Sequence, residues 1–405
     1  MTERNLDFDR IVDRRNTRCL KYDFAARRGY PEDVLPLWVA DMDFRTSSFV
    51  EDALAELTRH NIYGYSNTQP GDGFFEAVSG WMKRHHGWDV EPEWHVKTPG
   101  VCFAIATAIR ALTDPGDSVI IQQPVYYPFS SLIRVNGRKA VSSDLVRDAA
   151  GNYRMDYEDF EQKIIDNGVK LFILCNPHNP VGRVWTGPEL VRIGRICAAH
   201  GVKVFSDEIH GDFIWEGTHR VFQETDPAFR GMTITATSPS KTFNLAGLQQ
   251  SNIFIPDPGL RRSFTEELRR TGYDEPTIFG ITAAQAAYEK GEAWYEAMKA
   301  YVEENLRFAA GFVQDRLSGV ETRKPEGTYL MWLDFRGTGI GTEELEERII
   351  RRARLWLDSG SIFGKAGEGF QRINAACPRS ILREALERLE GILQERPRFL
   401  ETEGL

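Results

Sequence analysis

The run Met232-Thr-Ile-Thr-Ala-Thr-Ser-Pro-Ser-Lys241 decides how this chain is read. Its β-branched and small residues predict a strand over 232–238, and Ser238-Pro239 turns the chain out of it. Lys241 then stands between small hydroxyl residues at the point where a strand leaves its sheet, which is where open α/β sheets put their ligands. A lysine in such a pocket can lose its proton and attack a carbonyl to form a Schiff base. Neighbouring hydroxyls and backbone N–H groups can hold a phosphate. The tetrapeptide by itself is better read as a solvated lysine in a polar turn, so its meaning depends on the segments around it.

Outward from Lys241, further apolar runs predict strands over 117–123, 169–175, 202–207 and 251–255, with helical stretches between them. Thr186-Gly-Pro-Glu189 has the form of a capping box with proline at an early helical position, and the helix it opens stops near Gly201. Continuous apolar strands separated by helices predict a mostly parallel sheet covered by helices, an α/β fold. Beyond Gly280 the pattern changes. A helix is predicted from 281 to about 317, strands over 329–335 and 354–358, and a helix over 380–395, which together suggest a smaller α+β unit. The expected division is a large domain over 46–284 and a small domain built from 1–45 and 285–405.

The bulk properties narrow the function. The chain has 405 residues and a formal net charge of −9, and its Lys and Arg are not gathered in a basic tail. Nucleic acid and anionic membrane are therefore poor candidate partners. The five cysteines are odd in number and form no C-x-x-C pair, the pattern of reduced thiols rather than of disulfides or a metal site. The charged N-terminus lacks the apolar core of a signal peptide, and no apolar run approaches the ~20 residues needed to span a bilayer. A cytoplasmic protein is expected.

Four further segments carry candidate chemistry. In Leu174-Cys-Asn-Pro-His-Asn-Pro-Val-Gly182 the turn signals follow a strand directly, so Asn176 and Asn179 belong at the carboxyl edge, as amide donors or as ordinary Asx turns. In Val204-Phe-Ser-Asp-Glu-Ile-His210, Asp207 ends an apolar strand. A buried carboxylate there needs a cation or hydrogen-bond donors, such as a protonated cofactor ring nitrogen; Asp207 or Glu208 could instead cap a following helix. His210 lies near the same rim, as a functional group or a packed core histidine. Lys97-Thr-Pro-Gly-Val-Cys-Phe-Ala104 opens a helix whose free N–H groups suit an anion. Gln123-Pro-Val-Tyr-Tyr-Pro-Phe129 offers aromatics that either fill the core or stack on a flat ring.

In this order the motifs resemble those of fold-type-I enzymes that use pyridoxal 5′-phosphate (PLP), the aminotransferase superfamily. Leu35-Pro-Leu-Trp-Val-Ala-Asp-Met-Asp-Phe44 and Gln371-Arg-Ile-Asn-Ala-Ala-Cys-Pro-Arg379 resemble the MalY/PatB branch of cystathionine β-lyase-like carbon–sulfur lyases. The resemblance covers about residues 16–393. It implies that Lys241 forms the Schiff base and moves the Cα proton, that Asp207 pairs with the ring nitrogen, and that Tyr126 stacks on the ring. It implies that Asn179 and His210 lie near the ring's phenolic oxygen, although many aminotransferases carry Tyr where His210 stands. Gly100, the Val101 and Cys102 backbone, Ser238 and Ser240 hold the phosphate in this scheme, and Tyr65 reaches the phosphate of a partner subunit, making a homodimer. Arg372, which periodicity alone presents as a solvated residue, clamps the substrate carboxylate together with Asn179.

Two departures stand out. The stretch Lys241 to Gln250 lacks the phosphate-binding Arg of many relatives, as in the lyase branch, and Val-Cys-Phe at 101–103 replaces the branch's usual Val-Val-Pro. The implied activity is β-elimination on an L-cysteine S-conjugate such as cystathionine. The alternatives are an aminotransferase using the same residues and a protein of this fold whose main task is to bind a regulator.

Overall fold

A computed structural model describes residues 2–148, 151–273 and 275–394. Its central sheet has seven strands: β1 (His95–Thr98), β2 (Ser118–Ile121), β3 (Lys139–Ser142), β4 (Leu171–Cys175), β5 (Lys203–Asp207), β6 (Thr233–Thr237) and β7 (Ser251–Phe254), in the spatial order β1-β7-β6-β5-β4-β2-β3. Strands β3, β2, β4, β5 and β6 pair in parallel. β7 runs against both of its neighbours. The apolar run over 251–255 therefore supplies the reversed strand of a mixed, mostly parallel sheet. β1 has one apolar residue in four and shows no apolar run, yet it closes the edge beside β7.

Successive side chains of a strand point to opposite faces, so a strand covered on both faces must be apolar throughout. Ile121, Ile173, Phe205 and Ile234 pack with helix α1 (Val101–Leu112) on one face. Ile120, Phe172, Leu174 and Val204 pack on the other with Leu190 and Ile193 of α2 (Gly187–Ala199). The capping box forms as expected: the Thr186 hydroxyl accepts from the Glu189 N–H, and the Glu189 carboxylate accepts from the Thr186 N–H. A short helix α3 (Pro239–Thr242) follows β6 and carries Lys241.

The helix expected from 281 to about 317 is two helices, α4 (Ile278–Lys290) and α5 (Glu292–Arg316), parted at Gly291. A Cβ on Gly291 would stand 2.6 Å from the Phe243 ring and 2.5 Å from the Ala287 carbonyl, so the break lets Phe243 pack against the joint. A three-stranded antiparallel sheet follows, β8 (Leu330–Asp334), β9 (Asp358–Ser359) and β10 (Phe370–Asn374), with β10 in the centre. The strand expected over 354–358 is likewise two pieces. Leu355–Trp356 pairs in parallel with Leu35–Pro36, and Asp358–Ser359 joins β10. Leu37 of the N-terminal stretch continues this contact, donating its N–H to the Trp356 carbonyl at 2.9 Å. The last helix, α6, is Arg379–Gln394, and position 395 of the expected helix lies outside the described residues. One apolar cluster joins Trp81, Tyr288, Trp294, Leu306, Tyr329 and Leu386, tying the second sheet to the elements beneath the first.

Candidate active site

The carboxyl ends of β4, β5 and β6 and the first turn of α1 enclose a cavity of about 210 Å³. Lys241, Asp207, Asn179, His210, Tyr126, Gly100, Val101, Cys102, Ser238 and Ser240 all line it. Larger grooves of about 830 and 600 Å³ lie elsewhere and contain none of these residues. The topology accounts for the convergence. Parallel strands end on one side of a sheet, so residues far apart in sequence that close neighbouring strands meet there.

Asp207 ends β5 and is 5% exposed. Its carboxylate accepts one hydrogen bond, from the Ile209 N–H at 3.1 Å. Among the described residues no cation forms an ion pair with it, and Lys241 acts on it only at longer range. Burial therefore pushes its carboxyl up to about 7. No helix follows Asp207, which removes the helix-capping alternative. Glu208 is turned the other way, accepting from Ser206, His219 and the Phe222 N–H.

Lys241 donates from Nζ to the Ala40 carbonyl at 2.6 Å, an oxygen that also accepts from the Tyr329 hydroxyl at 2.9 Å. Burial lowers the pKa of its ammonium, with the Asp41 carboxylate pulling the other way. Ala40 belongs to the 35–44 segment, which is anchored by Asn244 and Asn374 and by the buried ion pair between Lys21 and Asp43 at 2.7 Å. A backbone carbonyl carries no side-chain signature, which is why sequence reasoning missed it.

At the cavity's other end, α1 begins at Gly100 with no side-chain cap, leaving the N–H groups of its first turn free. A Cβ on Gly100 would meet nothing within 4 Å, so the backbone there faces open space. Ser238 accepts from the Ser240 N–H at 3.1 Å and donates to the Gln250 carbonyl at 2.7 Å. The Ser240 hydroxyl stands 2.9 Å from Ser238 Oγ and lines the same cavity. Ala246, Gln249 and Gln250 complete this wall.

His210 is buried with Nδ1 unpartnered, and its ring meets Tyr329 edge-on at 5.6 Å. Burial, with Lys241 and Arg372 adding to it, holds its pKa well below the usual value, so the ring is neutral. The Tyr126 N–H donates to the Asn179 carbonyl at 3.0 Å, fixing the aromatic against the turn after β4. Asn176 does not line the cavity; it donates to the Arg220 carbonyl at 3.0 Å and is structural.

Arg372 corrects the reading from periodicity. It sits on the central strand β10 and is 3% exposed, not solvated. Its Nη1 donates to Asn179 Oδ1 at 2.9 Å, and its Nη2 donates to the Trp38 carbonyl at 2.7 Å and to Asp358. It thus stands one hydrogen bond behind the cavity wall, reached through Asn179. Tyr65 lies away from the cavity and is 99% exposed, with Ile62 and Tyr63 exposed beside it. Asp358, Trp38 and Phe363, over which the Arg372 guanidinium lies at 4.9 Å, were not foreseen. The one signal for Asp358 was a carboxylate within a predicted strand.

These pieces fit PLP. The free helix start and Ser240 suit a phosphate, Tyr126 and His210 border the space between, and Asp207 is a buried carboxylate in want of a cation. Comparison with known proteins agrees. The aminotransferase class I and II family matches residues 32–389. Cystathionine beta-lyase PatB of Bacillus subtilis (strain 168) is 41% identical over 389 residues, 96% of this chain and 100% of the relative. The crystal structure of cystalysin from Treponema denticola, which contains pyridoxal 5′-phosphate, superposes with a TM-score of 0.91 at 37% identity, over 96% of this chain and 98% of that one. The PLP-bound C-S lyase from Staphylococcus hominis gives 0.89 at 33% identity, over 96% and 100%. With the site and these likenesses together, the chain belongs to the aminotransferase class I and II family, on its MalY/PatB branch.

Proposed function

We propose that this enzyme is a PLP-dependent carbon–sulfur β-lyase that cleaves L-cysteine S-conjugates such as cystathionine to a thiol, pyruvate and ammonia. The observation that carries the reading is the single cavity in which a lysine with a lowered pKa faces a buried carboxylate lacking a cation, with the Asn179–Arg372 pair behind its wall. When bound, PLP supplies an aldehyde for the substrate amine and a protonated ring that accepts the electron pair left at Cα. Asp207 keeps that ring nitrogen protonated. The free N–H groups of Val101 and Cys102, with Ser238 and Ser240, hold the phosphate, and Tyr126 covers the ring. Lys241, whose ammonium is destabilised by burial, takes the Cα proton at its amine. Arg372 and Asn179 fix the α-carboxylate and so set which Cα bond lies in line for cleavage. Neutral His210 can donate one hydrogen bond without adding charge.

An aminotransferase uses the same groups, and the family's description favours keeping that second reading. Incubation of the PLP-loaded protein with L-cystathionine separates the two. Pyruvate released without any added 2-oxo acid is the expected result; strict dependence on a 2-oxo acid acceptor would sink the lyase.

We also propose that the active unit is a homodimer in which Tyr65 completes the phosphate site of the partner subunit. A fully exposed phenol beside exposed Ile62 and Tyr63 is the pattern of an interface rather than of a free surface. Tyr65→Phe removes one hydrogen bond to a charged group and should weaken PLP retention about tenfold. An active monomer on size-exclusion, or unchanged PLP affinity in the variant, would contradict it.

A further inference from the structure

Arg372 is not free to receive a carboxylate. A guanidinium holds a carboxylate bidentately through its Nη1/Nη2 edge or its Nε/Nη2 edge, and both run through Nη2. Both Nη2 hydrogens are committed, one to the Trp38 carbonyl at 2.7 Å and one to the Asp358 carboxylate. One Nη1 hydrogen goes to Asn179, and the buried Nε–H has no partner among the described residues. Asp358 is directly opposite Arg372 in the β9–β10 register and is 5% exposed. The ion pair is therefore built into the sheet rather than formed by chance between mobile side chains.

The surroundings of Asp358 limit how much negative charge it can share. Arg372 faces it from β10, Arg28 from the N-terminal segment, and the Tyr127 phenol from the start of the helix Pro128–Val135. Arg28 rests on the stacked Trp38 and Trp356 rings, 4.7 Å over the first, and is itself exposed to water. A second carboxylate arriving at Arg372 would put two anions on one buried guanidinium, with only a solvated arginine nearby to compensate. Two carboxylates in that position cannot both stay ionised at low cost.

We propose that Asp358 is the resident counter-ion of the substrate-carboxylate clamp and a positioning residue for it. It holds Arg372 in register while the site lacks substrate, yields an Nη2 hydrogen to the incoming α-carboxylate, and takes a proton from solvent as it does so. The substrate remains a carboxylate, Arg372 remains a guanidinium, Asp358 passes from carboxylate to carboxylic acid, and the buried cluster keeps its net charge. This inference rests on the reading of Arg372 as the clamp.

The test compares glycine with methylamine, which offers the same amine and no carboxylate. Both are titrated into PLP-loaded protein, with affinity read from the cofactor's absorbance and proton exchange from calorimetry in two buffers of different ionisation enthalpy. In the parent, glycine should take up about one proton more than methylamine near neutral pH, because the added anion keeps one of the two carboxylates protonated. Asp358→Asn should abolish that difference and, by removing the competing anion, bind glycine at least about threefold tighter while leaving methylamine unchanged. Equal proton uptake for the two ligands in the parent would overturn the proposal even if the variant cannot be prepared. Arg372→Lys identifies the other failure. If it leaves the preference for glycine over methylamine intact, the clamp reading itself is wrong; if it removes that preference while Asp358→Asn changes nothing, only the role of Asp358 falls.

Discussion

Lys241→Ala lowers kcat/KM for a cysteine S-conjugate by at least about a thousandfold, within the range of losing a positioned general base. The size follows from the geometry. Among the cavity-lining residues Lys241 is the only amine, and burial has already brought it toward its neutral form. His210 cannot replace it, because its buried ring and the nearby positive charges hold its pKa down. Tyr126 cannot either, since burial pushes its phenol well above the usual value and it stays protonated. The fold should survive the change. Lys241 sits on a four-residue helix whose cap is the Ser238 hydroxyl, and its one hydrogen bond to the Ala40 carbonyl leaves that oxygen still bonded to Tyr329. Two measurements check this: steady-state pyruvate release, and the absorbance of purified protein, whose lysine-linked cofactor band should be absent. A variant retaining more than about a tenth of the parent rate would show that another group moves the proton, since even the weaker general bases contribute about a hundredfold.

Residues that end strands were legible because burial of a sheet on both faces forces long apolar runs, and the first polar residue after such a run marks the edge. Asp207 closes β5 on that rule and Lys241 enters its helix just after β6, whereas the first polar residue after β4 is Asn176, and it is Asn179, three residues on, that lines the cavity. Arg372 breaks the rule. Phe370-Gln-Arg-Ile-Asn374 is buried along its whole length, so its arginine looks solvated until the carboxylate across the sheet is known. The partner, Asp358, is 14 residues away in sequence, and nothing local announces the pairing. Strand direction was hidden for a similar reason. β7 is buried throughout, as the parallel strands β4 and β6 are, and nothing in its own residues shows that it runs the other way. Gly291 was passed over because the helical periodicity continues on both sides of it, while the packing of Phe243 is a long-range fact. The Ala40 carbonyl, which holds the lysine, is invisible to any reading of side chains.

Asp207→Asn is expected to do two opposite things: to lower turnover about a hundredfold or more, and to stabilise the protein in the absence of cofactor. The loss follows from the ring nitrogen. An amide cannot stabilise a protonated nitrogen as a carboxylate does, so the electron pair left at Cα has a poorer acceptor. The gain follows from the cavity. In the ligand-free protein the Asp207 carboxyl is raised from its ordinary value of 3.8 to about 7 by burial, which its one N–H bond and the more distant Lys241 only partly offset. A carboxyl raised in the folded state has its full stabilising effect below pH 4, loses it as pH rises from about 4 toward 7, and is fully penalised above that. The penalty is on the order of 4 kcal/mol at the slightly alkaline end. Asparagine keeps the hydrogen bond from Ile209 through its own oxygen and carries no charge to desolvate. The PLP-free variant should therefore melt several degrees above the PLP-free parent at pH 8, with the gap closing toward pH 5. Adding PLP should narrow it again, because the protonated ring supplies the missing cation to aspartate alone. Thermal melts of both proteins with and without PLP, at pH 5 and pH 8, measure each part. A parent as stable as the variant at pH 8 without PLP would mean that Asp207 already has a partner, and the case for a cation-seeking carboxylate in this cavity would fail.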